Sequence, residues 1–263
     1  MTFEPETWTA EQYLGRAEAG RAKPLRLNCS RKTGEAETAG DRAEFYAKFV
    51  GLSEVTEQSL FAEMLGNAIA QVSGISTGEP AFIEIDDGFS TFLRRMDIGV
   101  RQSFGVGSRN LGRGLSAPTF GRMSPEQLED AAKLYLFDLV VQNPDRQANN
   151  SNCLAVGRKL FAIDFGECFS FLYSIVGMSA HPWEVSRQGI AAHHVFHREL
   201  KESVIDWPRL TAKMLEASNE LLEASERWLP AAWKGWAEGV QEHFEVLQEH
   251  EQELVFEVAR SVA

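Results

Sequence analysis

Two polar clusters, each reached through an apolar run, constrain this chain more than any other feature. Asn143-Pro144-Asp145-Arg146-Gln147-Ala148-Asn149-Asn150 comes directly after a strongly apolar segment, and Ala162-Ile163-Asp164-Phe165-Gly166 follows it. Asp164 stands 19 residues after Asp145, between Phe161-Ala162-Ile163 and Phe165-Gly166, so a carboxylate emerges straight from a buried strand. A charge in that position needs a partner, and a metal ion is the natural one. The spacing is that of phosphoryl transfer: Asp145 to take the proton of an attacking hydroxyl, Asn150 to hold magnesium from the same loop, and Asp164 to hold magnesium across nucleotide phosphates.

A turn rich in Asn, Asp and Pro needs no chemistry of its own, so the clusters gain weight from what precedes them. Lys48 lies in the middle of Glu44-Phe45-Tyr46-Ala47-Lys48-Phe49-Val50, which has the pattern of a strand. A mid-strand lysine is ordinarily an exposed edge residue. Fifteen residues on, however, Glu63 falls between Phe61 and Met64 on a helical pattern running from Thr56 to about Val72. A lysine that holds nucleotide phosphates needs such an acid to orient it, and Lys48 and Glu63 come in the expected order.

The rest of the chain reads as a framework for these residues. Residues 6 to 20 have the apolar points of a short helix in Trp8, Tyr13 and Leu14, and residues 24 to 29 alternate like a strand. A polar stretch with glycine, Ser30 to Asp41, would connect that strand to the one carrying Lys48. Glu79 to Ile85 reads as a further strand closed by an Asp86-Asp87-Gly88 turn. Gly99 to Gly121 is the glycine-rich, least regular part, and the connection between two halves is expected there. Ser124-Pro125-Glu126-Gln127 is a strong helix start, with serine as cap and proline at the first helical position, and this helix reaches about Val141. A strand at Asn152 to Val156 and a helical tail from Trp183 to Val262, broken near Trp207-Pro208 and Leu229-Pro230, complete the pattern. The fold class expected is α+β and two-lobed, with a small mixed N-terminal lobe over residues 1–110 and a mainly helical C-terminal lobe over residues 111–263.

Composition excludes several alternatives. With 38 acidic against 26 basic residues the net charge is −12, which repels nucleic acid and anionic lipid. No apolar run approaches a membrane span and the first residues do not read as a secretory signal, so the cytoplasm is the expected location. Cys29, Cys153 and Cys168 form no Cys-x-x-Cys pair and read as reduced thiols. Gly107 to Gly114 has the glycine spacing of a phosphate-binding loop, but Arg113 and Gly114 stand where Lys and Ser or Thr are required. His193, His194 and His197 lack the glutamate of a zinc protease motif, and Trp228, Trp233 and Trp236 read as packing residues.

From about Pro24 to Phe169 the chain resembles the HipA-like kinases, relatives of the phosphatidylinositol kinases within the wider protein-kinase-like fold. Asn143-Pro144-Asp145-Arg146 through Asn150, followed by Ile163-Asp164-Phe165-Gly166, carries the resemblance, and Phe104-Gly105 to Ser108 is similar to a glycine-containing segment of that family. The resemblance implies a two-lobed Ser/Thr kinase using ATP and Mg2+, with Asp145 as catalytic aspartate, Asn150 and Asp164 as metal ligands, and Lys48 and Glu63 as the nucleotide-positioning pair. It also implies a protein substrate, autophosphorylation, and a separate antitoxin or regulatory protein as partner, while the acidic charge sets nucleic acid and membrane aside as partners. Gln147 stands where many relatives have histidine, which keeps hydrogen-bonding capacity but loses a titratable group. The alternatives left open are a lipid or small-molecule kinase and a catalytically silent nucleotide-binding scaffold.

Overall fold

The computed structural model describes residues 3–17, 22–31, 42–121, 123–173, 181–201 and 203–263. Five strands, β1 (Glu6–Arg16), β2 (Leu25–Ser30), β3 (Arg42–Phe49), β4 (Pro80–Glu84) and β5 (Phe104–Arg109), close into a barrel in the order β1-β2-β3-β5-β4. All pairings are antiparallel except β1 with β4, which run parallel from Glu6 opposite Ala81 to Thr9 opposite Glu84. Trp8, Leu25, Leu27, Phe45, Ala47, Phe49, Ile83 and Val106 are buried and form the barrel's share of the core.

Residues 6 to 16 are therefore a strand and not the helix that their apolar points suggest. Register shifts between Ala10 and Gln12 and between Tyr13 and Gly15 interrupt the two-residue alternation, so Trp8, Tyr13 and Leu14 mimic helical spacing. The segments around Leu25 and Phe45 pair as expected, Leu25 opposite Ala47 and Ser30 opposite Arg42. Residues 32–41 of the polar stretch between them lie outside the described residues. β5 forms inside the segment expected to be irregular. Its glycines are required by close approach: a Cβ on Gly105 would lie 2.4 Å from the Lys48 carbonyl oxygen, and one on Gly107 would lie 2.7 Å from Ile83 Cγ1.

Helix α1 (Glu57–Val72) opens on a capping box, Thr56 accepting from Ser59 N and Ser59 accepting from Thr56 N. It is buried on nearly every side, Leu60, Phe61, Met64, Leu65 and Ile69 included. The Asp86-Asp87-Gly88 turn is the entry to a helix, α2 (Asp87–Arg95), because Asp86 accepts from Phe89 N at 2.7 Å and so caps it. The same side-chain acceptor that makes an Asx turn makes a helix N-cap, and the sequence does not separate the two.

Helix α3 (Pro125–Val140) starts at the Ser124 cap with Pro125 in its first turn, as its sequence signals, and apart from Lys133 is buried from Ala131 onward. A hairpin of β6 (Cys153–Val156) and β7 (Lys159–Ala162) follows. The tail contributes the short α4 (Ile190–His193) and α5 (His197–Leu200), then α6 (Trp207–Ser225), α7 (Lys234–Glu249) and α8 (Glu251–Ser261). The break expected near Trp207-Pro208 falls between α5 and α6, with Pro208 in the first turn of α6 beneath the Asp206 cap. Trp233 meets Phe61, Phe82 and Phe104 with ring centroids 5.9–6.2 Å apart, and Trp236 meets Phe61 at 5.6 Å. These tryptophans fasten the helical tail to α1, β4 and β5, which is the packing role their sequence context suggests.

One tail residue reaches the end of α3 from which the Asn143 loop departs. His243 Nε2 donates to the Val140 carbonyl at 2.8 Å, satisfying an acceptor that the helix itself leaves open, while its ring stacks on Phe171 at 4.2 Å. Burial pushes this imidazole down from 6.5 to about 4, against the opposing pull of the Val140 bond. Its pKa is thus depressed in the folded state, so the unfolded chain takes up the proton first and stability falls as pH drops from 6.5 towards 4. At pH 5 the loss relative to pH 8 from this residue amounts to about 2 kcal/mol. Urea denaturation of wild type and His243→Gln at both pH values should show a smaller acid loss in the variant by about that amount; equal losses would contradict the assignment.

Candidate active site

The end of β3 and the middle of α1 meet the chain just after β7. Lys48 Nζ lies 2.6 Å from Glu63 Oε2 and 2.6 Å from Asp164 Oδ1. The lysine and glutamate side chains are 10% and 6% exposed while that of Asp164 is 36% exposed, so the cluster opens to solvent on the Asp164 side. Glu63 Oε2 also accepts from Phe165 N at 3.0 Å, which ties the helix to the backbone just after Asp164.

Burial disfavours the Lys48 charge, but the two carboxylates outweigh it and hold the ammonium above its usual range. Burial likewise opposes ionisation of Asp164, and Lys48 overcomes it, so this carboxyl lies below the ordinary aspartate range. At Glu63 burial wins over Lys48 and raises the carboxyl. One cation shared between two carboxylates leaves the cluster short of positive charge at its open side, where a metal–phosphate group would complete it.

Asp145 and Asn150 form the second group. Asn150 Nδ2 donates to Asp145 Oδ2 at 2.8 Å and turns towards the Asp145 backbone oxygen at 3.3 Å. Gln147 and Asn150 exchange backbone hydrogen bonds of 3.0 Å, and Gln147 Nε2 closes the loop onto the Pro144 carbonyl at 2.8 Å. The structure thus brings Lys48, Glu63 and Asp164 into one cluster and Asp145 with Asn150 into another, Asn150 turning its amide to Asp145 rather than to Asp164.

Residues outside these five join the two. Asn152 Nδ2 donates to Asp145 Oδ2 at 2.8 Å, while its carbonyl accepts from Ile163 N at 3.0 Å, one residue before Asp164. Arg146 is buried, with Nε 2.6 Å from Asp138 Oδ2 and Nη1 donating to the Asn152 carbonyl. Asp138 also accepts from Asn143 Nδ2 at 2.8 Å and from His194 Nε2 at 2.9 Å. Because Phe196 N donates to His194 Nδ1 at 3.2 Å, the ring proton sits on Nε2, and burial holds this imidazole below its usual range as a neutral donor. His197 reaches the Ser261 carbonyl at 2.9 Å, so His194 and His197 pack and cap. Asp138 carried a signal, a lone carboxylate between Phe137 and Leu139 in an apolar helix; His194 and Asn152 carried none, because their partners lie far along the chain.

Among the described residues no group of three His, Cys, Asp or Glu side chains stands ready for a metal. Magnesium is commonly bound through one or two carboxylates together with substrate phosphates and water. Asp164 and the side-chain oxygen of Asn150 could hold it.

Residues 37–257 match the HipA-like kinase family. The chain belongs to that family. The crystal structure of the Helicobacter pylori proinflammatory kinase CtkA is similar to it with 9% sequence identity, over 90% of this chain and 94% of that one, at a TM-score of 0.46. Comparison with curated protein sequences finds no match. The buried ion pair of this HipA-like kinase is open to a direct test. Asp138→Asn leaves the Arg146 guanidinium enclosed without its carboxylate, and removing one partner of a buried pair costs about 3–5 kcal/mol. Urea denaturation at neutral pH should show a loss of that size, and a midpoint equal to that of wild type would contradict the role given to Asp138.

Proposed function

We propose that this HipA-like kinase transfers the γ-phosphoryl group of Mg-ATP to a serine or threonine hydroxyl of a protein, its own chain included. The observation that carries the reading is the Lys48 ammonium held between Glu63 and Asp164, beside a loop in which Asn150 and Asn152 hold Asp145. In this reading residues 1–110 form one lobe and residues 111–263 the other. Lys48 holds the ATP phosphates and Glu63 orients it; Asp164 and Asn150 hold the metal. The bound metal neutralises charge on the phosphate oxygens.

Asp145 orients the acceptor hydroxyl and takes its proton. A new bond forms between the acceptor oxygen and the γ-phosphorus, the bond from that phosphorus to the β–γ bridging oxygen breaks, and ADP leaves with the bonding pair. The protein does little covalent work, so the rate depends on how well these groups are positioned. A protein acceptor is favoured over a lipid because the chain's charge of −12 opposes an anionic membrane surface.

Purified protein incubated with γ-labelled ATP and Mg2+, alone and with cell extract, should label protein. Asp145→Asn should label it about 10²–10⁴-fold more slowly while still binding Mg-ATP. Label appearing on a lipid or small alcohol would replace the protein acceptor. ATP binding without transfer to any acceptor would replace the enzyme by a scaffold.

A further inference from the structure

Asp145 Oδ2 takes two amide donors at the same distance, Asn150 Nδ2 and Asn152 Nδ2, each at 2.8 Å. The two are not equivalent. Asn150 is exposed and, in the function proposed above, has a second task at the metal. Asn152 is half-buried, and its main chain is fixed from two directions by Ile163 N and Arg146 Nη1 on its carbonyl. Its φ of 42° lies in the left-handed region, where asparagine is among the few non-glycine residues that sit comfortably. A backbone pinned in that conformation fixes the direction in which the short side chain points, and it points at the carboxylate of Asp145.

We propose that Asn152 is a positioning residue for phosphoryl transfer. It holds Oδ2 of Asp145 so that the other carboxylate oxygen faces the acceptor hydroxyl, and it does so independently of what Asn150 is doing at the metal. The same residue connects the two halves of the site, because its side chain holds Asp145 while its carbonyl is bonded to the residue preceding Asp164. This inference rests on the assignment of Asp145 as the group that orients the acceptor.

Three substitutions that tolerate a positive φ separate positioning from folding. Asn152→Asp keeps the shape but replaces the donor with a second carboxylate, Asn152→Gly removes the side chain, and Asn152→His offers a ring N–H from a similar position. Transfer of label from γ-labelled ATP to the protein itself, and hydrolysis of Mg-ATP to water, are measured for each, with the urea midpoint alongside. The Asp and Gly variants should lose about ten- to a hundredfold in kcat, as expected when a group that orients a reacting residue is lost, with KM for ATP and the midpoint close to wild type. The His variant should keep a larger share of the rate than either. Wild-type kcat in the Asp and Gly variants would overturn the inference. So would a fall in kcat matched by a rise in KM and a lower midpoint, with His no better than Gly. A wild-type protein that binds Mg-ATP but neither labels itself nor hydrolyses it would overturn the function on which the inference rests, and the inference with it. An active wild type with indifferent variants would overturn only the role of Asn152.

Discussion

A buried ammonium cannot be left alone, and most of this molecule is arranged around the one at Lys48. Its two carboxylates come from sites 15 and 116 residues away in sequence, Glu63 on α1 and Asp164 after β7. Their meeting requires α1 to pack on the barrel and the β6–β7 hairpin to lie against α3. The apolar framework supplies this: Phe61 on α1 meets Trp233, Trp236 and Phe169, while Phe165 packs edge-on against Phe137. Non-directional burial brings the elements together, and the charges then select one arrangement, because a buried lysine separated from either carboxylate loses much of its compensation.

A second buried cation organises the loop. Arg146 is neutralised by Asp138 and donates to the Asn152 carbonyl, so a guanidinium fixes the chain on either side of Asp145 and leaves that carboxylate at the surface of the network. The backbone is held in an uncommon conformation at the same place. Asn152, Asp164 and Phe169 have φ of 42°, 60° and 61°. Non-glycine residues in that region persist only where their surroundings over-determine them, and such residues cluster at functional sites. Here the surroundings are explicit: Arg146 and Ile163 on Asn152, Lys48 on Asp164, and the Val141 carbonyl accepting from Phe169 N at 2.7 Å.

The sequence made some of this legible and hid the rest for identifiable reasons. Helix α1 was readable from its apolar face and α3 from its cap and apolar run, and Lys48, Glu63 and Asp164 stood out as charges embedded in apolar segments. β1 was not readable, since two register shifts destroy the alternation that marks a strand. β5 was hidden by glycines that read as loop but are demanded by contact with Lys48 and Ile83. The Asp86 cap was indistinguishable from a turn. His194 and Asn152 show the deeper limit. Their meaning comes from partners brought close only by the folded chain, and local pattern contains no record of them.

In the proposed function the cluster of Lys48, Glu63 and Asp164 is completed by a metal–nucleotide group. Calorimetric titration of ATP into the protein, with and without Mg2+, and into Asp164→Asn with Mg2+, tests it directly. Wild type should bind ATP with metal, and binding should weaken by about tenfold or more when either the metal or the Asp164 carboxylate is removed. No ATP binding under any condition, or binding indifferent to both changes, would contradict it.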